Sequence, residues 1–176
     1  MKTILLLRHA KSAWNDAGLS DHERPLNRRG ERAAKAVADH LAQHGPRPDL
    51  ILCSTATRAR QTLAPLIKQL GSPAPPLSLE DALYLASEGS LLDRLQALDD
   101  DVATVLLVGH NDGIWQLAET LAGRGAPARL ATLREKFPTG TLAILHAPVG
   151  SWRDLAAGSG ELFAFVRPRD LTRRRG

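Results

Sequence analysis

Three short apolar runs constrain this chain more than anything else in it. Residues 3–7 (TILLL), 49–53 (DLILC) and 103–108 (ATVLLV) are almost continuous Leu, Ile and Val. A strand with one wet face alternates polar and apolar residues, so runs apolar at nearly every position need cover on both sides. Segments with helical spacing lie between them. Residues 27–44 carry Ala33, Ala34, Val37, Ala38 and Leu41 before Gly45-Pro46, and residues 57–70 are closed by Gly71 and Pro73. Residues 90–98 and 114–122 read as two further helices, and residues 141–145 and 162–166 as late strands. Residues 16–26, with Gly18 and Pro25, read as a loop; residues 74–79, with Pro75 and Pro76, as an extended linker or edge segment. The rhythm predicts an α/β fold of three layers, a mostly parallel central sheet with helices on both faces. At 176 residues one domain is expected over 1–176, ending in a basic tail at about 167–176.

Each strong strand ends on chemistry. Arg8-His9 follows the first run, Ser54-Thr55-Ala56-Thr57-Arg58 the second, and Gly109-His110 the third. Open parallel sheets gather ligands beyond the carboxyl ends of their strands. Parallel strands would therefore bring two arginines and two histidines to one edge of the sheet. Four potential cations without acids beside them repel one another unless an anion lies between them. Arginine suits that anion when it is phosphate, because its planar fork pairs with two oxygens and keeps its charge. Ser54, Thr55 or Thr57 is a candidate cap for one following helix, and Asn111 or Asp112 for another.

The segment Arg8-His9-Ala10-Lys11-Ser12-Ala13-Trp14-Asn15 resembles the signature of the histidine phosphatase superfamily, the phosphoglycerate-mutase-like enzymes, whose usual form is Arg-His-Gly-Glu-Ser-x-x-Asn. Arg24-Pro25-Leu26, Arg29-Gly30, residues 54–62 (STATRARQT) and Val108-Gly109-His110-Asn111 match in order. Pro138-Thr139-Gly140 and the short length are similar to the SixA-like branch of bacterial phosphohistidine phosphatases. The resemblance implies that His9 is the nucleophile and forms a phosphohistidine intermediate. It implies that Arg8, Arg58 and His110 bind the phosphoryl oxygens, with Asn15 assisting. It implies no cofactor, no metal, and a phosphorylated protein as substrate, phosphohistidine foremost. A small phosphomonoester, or binding without turnover, are the alternatives. Larger members usually place a glutamate general acid where this chain has Leu83-Tyr84-Leu85, so Glu80 and Asp81 become the nearest candidates, with Glu88 and Asp112 beyond them.

The remaining features narrow the field. A lone cysteine, Cys53, precludes an internal disulfide. It precedes Arg58 by one residue too few for a tyrosine-phosphatase loop, so a small buried hydrophobe is its expected role. His40 and His44 lie four apart, but Asp39 and Gln43 beside them suggest a solvated helix face. Trp14 and Trp115 follow site motifs and suit either a pocket wall or packing. The net charge of +4 suits a small anion, and no aromatic sits among the terminal arginines to stack on bases, so nucleic acid is disfavoured. No run approaches the ~20 apolar residues of a membrane span. The sequence starts without a secretory leader pattern, so a cytoplasmic monomer with no membrane partner is expected.

Overall fold

The structure is a computed structural model that describes residues 1–172. Its centre is a seven-stranded sheet built from β1 (Lys2–Arg8), β2 (Leu50–Ser54), β3 (Leu77–Glu80), β4 (Thr104–Gly109), β5 (Ala122–Gly125), β6 (Leu142–Ala147) and β7 (Gly160–Val166). The order across the sheet is β3-β2-β4-β1-β6-β7-β5. The pairs β3–β2, β2–β4, β4–β1 and β5–β7 are parallel, whereas β6 runs antiparallel to both β1 and β7. The helices are α1 (Arg28–His44), α2 (Thr57–Leu70), α3 (Glu88–Gln96), α4 (Gly113–Leu121), α5 (Pro127–Glu135) and α6 (Pro168–Thr172).

The period of two along each strand divides the core between the faces. Leu5, Leu7, Ile51, Cys53, Leu106 and Val108 pack beneath α1 and α2, against Val37, Leu41, Leu63 and Leu66. The intervening Ile4, Leu6, Leu52, Val105 and Leu107 face the other way, against Leu91, Leu95, Ile114, Leu117 and Leu133 of α3, α4 and α5. Runs apolar at every position are thus what a sheet covered on both sides requires. β4 lies between β1 and β2, with Arg8 opposite Gly109 and Cys53 opposite Val108. The carboxyl ends of these three strands therefore open side by side.

Local signals explain most boundaries. Asn27 caps α1, its side-chain oxygen accepting the Gly30 N–H at 2.8 Å. The segment after Pro75-Pro76 is an edge strand parallel to β2, where a missing N–H costs no ladder bond. α3 begins earlier than its apolar spacing indicates because Ser87 caps it, accepting the Ser90 N–H at 3.2 Å. Neither Ser54, Thr55 nor Thr57 caps α2; the residue at its cap is Ala56, and Asp112 at the start of α4 makes no side-chain cap bond. β5 and α5 were not expected. The sequence AGRG has no strand propensity and pairs only because β7 is beside it, and α5 buries Leu133 alone, too little for a periodic signal. At the start of the basic tail Arg167 pairs with Asp170 at 2.9 Å, and Pro168–Thr172 form α6. Arg173, Arg174 and Arg175 lie outside the described residues. Among the described residues no helix is long and apolar enough to cross a membrane.

Candidate active site

Backbone bonds fix His9 before any side chain is considered. Its N–H donates to the Gly109 carbonyl of β4 at 3.0 Å. The Gly140 N–H donates to the carbonyls of Arg8 at 3.1 Å and His9 at 3.0 Å. Gly140 sits at φ +75°, and a Cβ there would come within 2.9 Å of Pro168, which accounts for the glycine of the Pro138-Thr139-Gly140 stretch. Gly30 is required for a different reason: a Cβ would lie 2.0 Å from the Lys11 carbonyl, so α1 packs directly on the strand exit. Thr62 on α2 closes the frame. Its hydroxyl donates to the Arg58 carbonyl at 2.7 Å and accepts the Ala10 N–H at 2.9 Å.

The two imidazoles face each other with ring centroids 5.2 Å apart, and both are buried. His9 Nδ1 lies 2.7 Å from the Ala10 carbonyl. A carbonyl cannot donate, so Nδ1 carries the proton and Nε2 keeps its lone pair. His110 Nε2 is 2.8 Å from the Ser54 hydroxyl, which already accepts the Ala56 N–H at 3.2 Å. Ser54 is fully buried, so its own proton finds its acceptor at His110 Nε2, which places the His110 proton on Nδ1. Burial, reinforced by the charges of Arg58, Arg8 and Arg24, pushes His9 down to about 4. Burial and the neighbouring His9 push His110 down to about 3. Both rings are neutral at pH 7.

Three guanidinium groups surround them. Arg8, the last residue of β1, donates from Nη1 to the Phe137 carbonyl at 2.8 Å, and burial lowers its pKa. Arg58, in the first turn of α2, donates from Nη1 and Nη2 to the Asp21 carbonyl (2.6 Å) and carboxylate (3.0 Å). Arg24 lies 3.5 Å from the centroid of the Trp14 ring and bonds Ser12 and Asp21. These groups line one cleft of about 340 Å³. The Nε atoms of Arg8, Arg24 and Arg58 and Nδ1 of His110 are buried and bond no described residue. Three guanidinium groups and two neutral imidazoles against one carboxylate give the cleft a positive balance that suits an anionic ligand.

The sequence profile of the histidine phosphatase superfamily (branch 1) matches residues 4–84. An uncharacterized protein of Mycobacterium tuberculosis is 42% identical over 165 residues, 93% of this chain and 100% of that relative. A structure described as a candidate SixA phosphohistidine phosphatase from Nakamurella multipartitia is 32% identical and superposes with a TM-score of 0.81, covering 95% of this chain and 96% of that one. The chain belongs to the histidine phosphatase superfamily. A second SixA structure so described, from Agrobacterium tumefaciens, is 34% identical with a TM-score of 0.80, over 95% and 98% of the two chains.

Not every residue singled out in the sequence reaches the cleft of this histidine phosphatase. Asn15 is exposed and lines a neighbouring groove with Trp14, Asn27 and Arg28. Glu80 is turned to Arg94, at 2.8 and 3.0 Å, which holds its carboxyl below the usual range. Asp81 accepts the Thr55 hydroxyl at 2.6 Å, and Glu88 accepts that of Thr120. None of these three lines the cleft, nor does Asp112. Cys53 is buried beneath α1 and α2, where burial raises its thiol to about 12, so no thiolate forms near neutrality. Trp14, 74% exposed, is a rim residue, whereas Trp115 donates to the Leu133 carbonyl at 2.7 Å and packs on the core. Sequence reasoning missed two cleft residues: Arg24, noted only within a motif, and Asp21, the one carboxylate among the described residues lining the cleft. Its signal was the Asp21-x-x-Arg24 spacing in an otherwise patternless loop.

The protonation state is directly measurable. Proton NMR titration of the histidine rings should give a midpoint near about 4 for His9 and about 3 for His110. A midpoint near the ordinary ~6.5 for either would contradict their burial. The sign for stability follows. As pH falls from ~6.5 the unfolded chain takes up protons that the folded site refuses, so the fold loses stability on acidification.

Proposed function

We propose that this protein is a metal-independent phosphatase that passes the phosphoryl group through His9 and acts on phosphohistidine carried by a protein. The observation that carries the reading is a neutral imidazole lone pair at His9 Nε2, held within a ring of guanidinium groups. In the first step Nε2 attacks phosphorus, the Nε2–P bond forms, and the bond to the leaving group breaks. In the second, water attacks phosphorus, the Nε2–P bond breaks, and inorganic phosphate leaves. Arg8, Arg58 and His110 hold the equatorial oxygens, whose spread charge is the main thing phosphoryl transfer needs stabilised. Guanidinium groups supply the positive charge that other phosphoryl-transfer sites take from a metal ion. A protein substrate is supported by the rim, where Trp14 and Leu85 are 74% and 55% exposed beside the cleft. The similarity to structures described as SixA phosphohistidine phosphatases points the same way.

The test is hydrolysis of a phosphohistidine peptide and of p-nitrophenyl phosphate, with and without EDTA. Both are expected to be cleaved, and EDTA to leave the rates unchanged; abolition by EDTA with rescue by a divalent metal would overturn the reading. Removing one arginine should be costly. Arg58→Ala or Arg8→Ala is expected to lower turnover by roughly 10²–10³, the scale of one lost oxyanion donor. Arg58→Lys should recover only part of that, because the ammonium keeps the charge and loses the fork.

A further inference from the structure

The loop between β1 and α1 sends a single carboxylate into a cleft lined by three arginines. Asp21 Oδ1 lies 2.7 Å from Arg24 Nη2, and Oδ2 lies 3.0 Å from Arg58 Nη2. Its backbone carbonyl accepts Arg58 Nη1, and its carboxylate also accepts the Tyr84 hydroxyl. One residue therefore joins its own loop, the start of α2, and the turn before α3. The Tyr84 hydroxyl, Arg24 and Arg58 hold its carboxyl well below the usual range, although its side chain is 45% exposed. The loop is registered to α2 a second time next door. There the Thr57 N–H donates to the His22 carbonyl at 3.0 Å, and His22 Nε2 meets the Thr55 hydroxyl at 2.9 Å.

We propose that Asp21 is a positioning residue that fixes the forks of Arg24 and Arg58 toward the phosphoryl group; the proposal rests on the phosphatase reading above. A guanidinium is planar, so anchoring two of its nitrogens fixes where its third points. In Arg58, Nη1 and Nη2 are both held by Asp21, and Nε is buried without a partner among the described residues. In Arg24, Nη2 is held by Asp21 and Nη1 by Ser12, and Nε is again partnerless. Without the carboxylate, two long side chains regain rotamer freedom, and the like charges of Arg8, Arg24 and Arg58 push them apart.

Two effects oppose each other when the carboxylate is removed, and their signs differ. Deleting a negative charge beside an anion site strengthens anion binding by Coulomb's law. Loosening the forks weakens binding and turnover together. The proposal requires the second effect to win. Asp21→Asn and Asp21→Glu in the full chain should be compared by calorimetric binding of inorganic phosphate, by kcat and KM on p-nitrophenyl phosphate, and by thermal midpoint. Asp21→Asn is expected to weaken phosphate binding about tenfold and lower kcat about 10–100-fold, the scale of an ångström of misplacement. Asp21→Glu should restore most of both. Tyr84→Phe, which removes one bond to the anchor and leaves its charge, should move both the same way by about 2–5-fold. Phosphate bound as tightly or more tightly by Asp21→Asn with unchanged kcat, or a glutamate variant no better than asparagine, would overturn the proposal. Phosphate binding is read without turnover. A wild-type chain that binds phosphate in an Asp21-dependent way but hydrolyses nothing would refute the phosphatase reading and sustain the positioning role.

Discussion

His9→Ala is expected to lose essentially all turnover, on the order of 10⁴–10⁶-fold, the scale seen when a covalent nucleophile is deleted. The expectation follows from the tautomer. The Ala10 carbonyl can only accept, so the proton is confined to Nδ1 and the lone pair to Nε2. Burial then keeps the ring neutral down to about 4, so the proposed nucleophile needs no base to strip it at pH 7. Brief exposure to a labelled phosphodonor should leave acid-labile, base-stable label on the wild type and none on His9→Ala. Cys53→Ser should turn over at close to the wild-type rate, because its thiol is buried beneath two helices and pushed up to about 12. Label that resists acid, or label lost in Cys53→Ser and kept in His9→Ala, would overturn the assignment. His110→Ala separates the two rings. It should still take up label, more slowly, since the proposed mechanism gives its Nδ1–H a phosphoryl oxygen and never the phosphorus.

The strand ends were legible because their cause is local. Unbroken apolar runs announce strands covered on both faces, and Arg8, His9, Arg58 and His110 lie at or just beyond three adjacent carboxyl ends. The way those side chains are held was not legible. Asp21 sits in a polar loop with no period, and its importance arises only when Arg58 and Tyr84, 37 and 63 residues further along, arrive beside it. That no carboxylate stands at Leu83-Tyr84-Leu85 was legible, but the fates of Glu80 and Asp81 were not. Proximity along the chain suggested both, and the edge strand instead turns Glu80 to Arg94 while Thr55 donates to Asp81. β5 escaped notice for the related reason that its partner, β7, lies far along the chain.

That absence sets the second large effect, on the choice of substrate. An alkyl phosphate departs as an alkoxide, a poor leaving group, and rapid cleavage needs a placed acid to protonate it, worth roughly 10²–10⁴. Among the described residues the cleft offers no protonated carboxyl for this. Its one carboxylate, Asp21, is held ionised by the Tyr84 hydroxyl and two arginines, and Tyr84 itself is raised by burial and by Asp21. A phosphohistidine has no such need, because its other ring nitrogen takes the proton and the group leaves as neutral imidazole. p-Nitrophenolate leaves readily without help. Measured on one preparation, kcat/KM should therefore fall from phosphohistidine peptide to p-nitrophenyl phosphate to 3-phosphoglycerate or a sugar phosphate. The last should trail the first by roughly 10²–10⁴, the contribution of the acid that is lacking. Glu80→Gln and Asp81→Asn should leave all three values within about twofold, since neither carboxylate lines the cleft. If 3-phosphoglycerate or a sugar phosphate came first, and either of those variants selectively removed that activity, a carboxyl outside the cleft would be reaching the leaving group. The substrate would then be a small phosphomonoester.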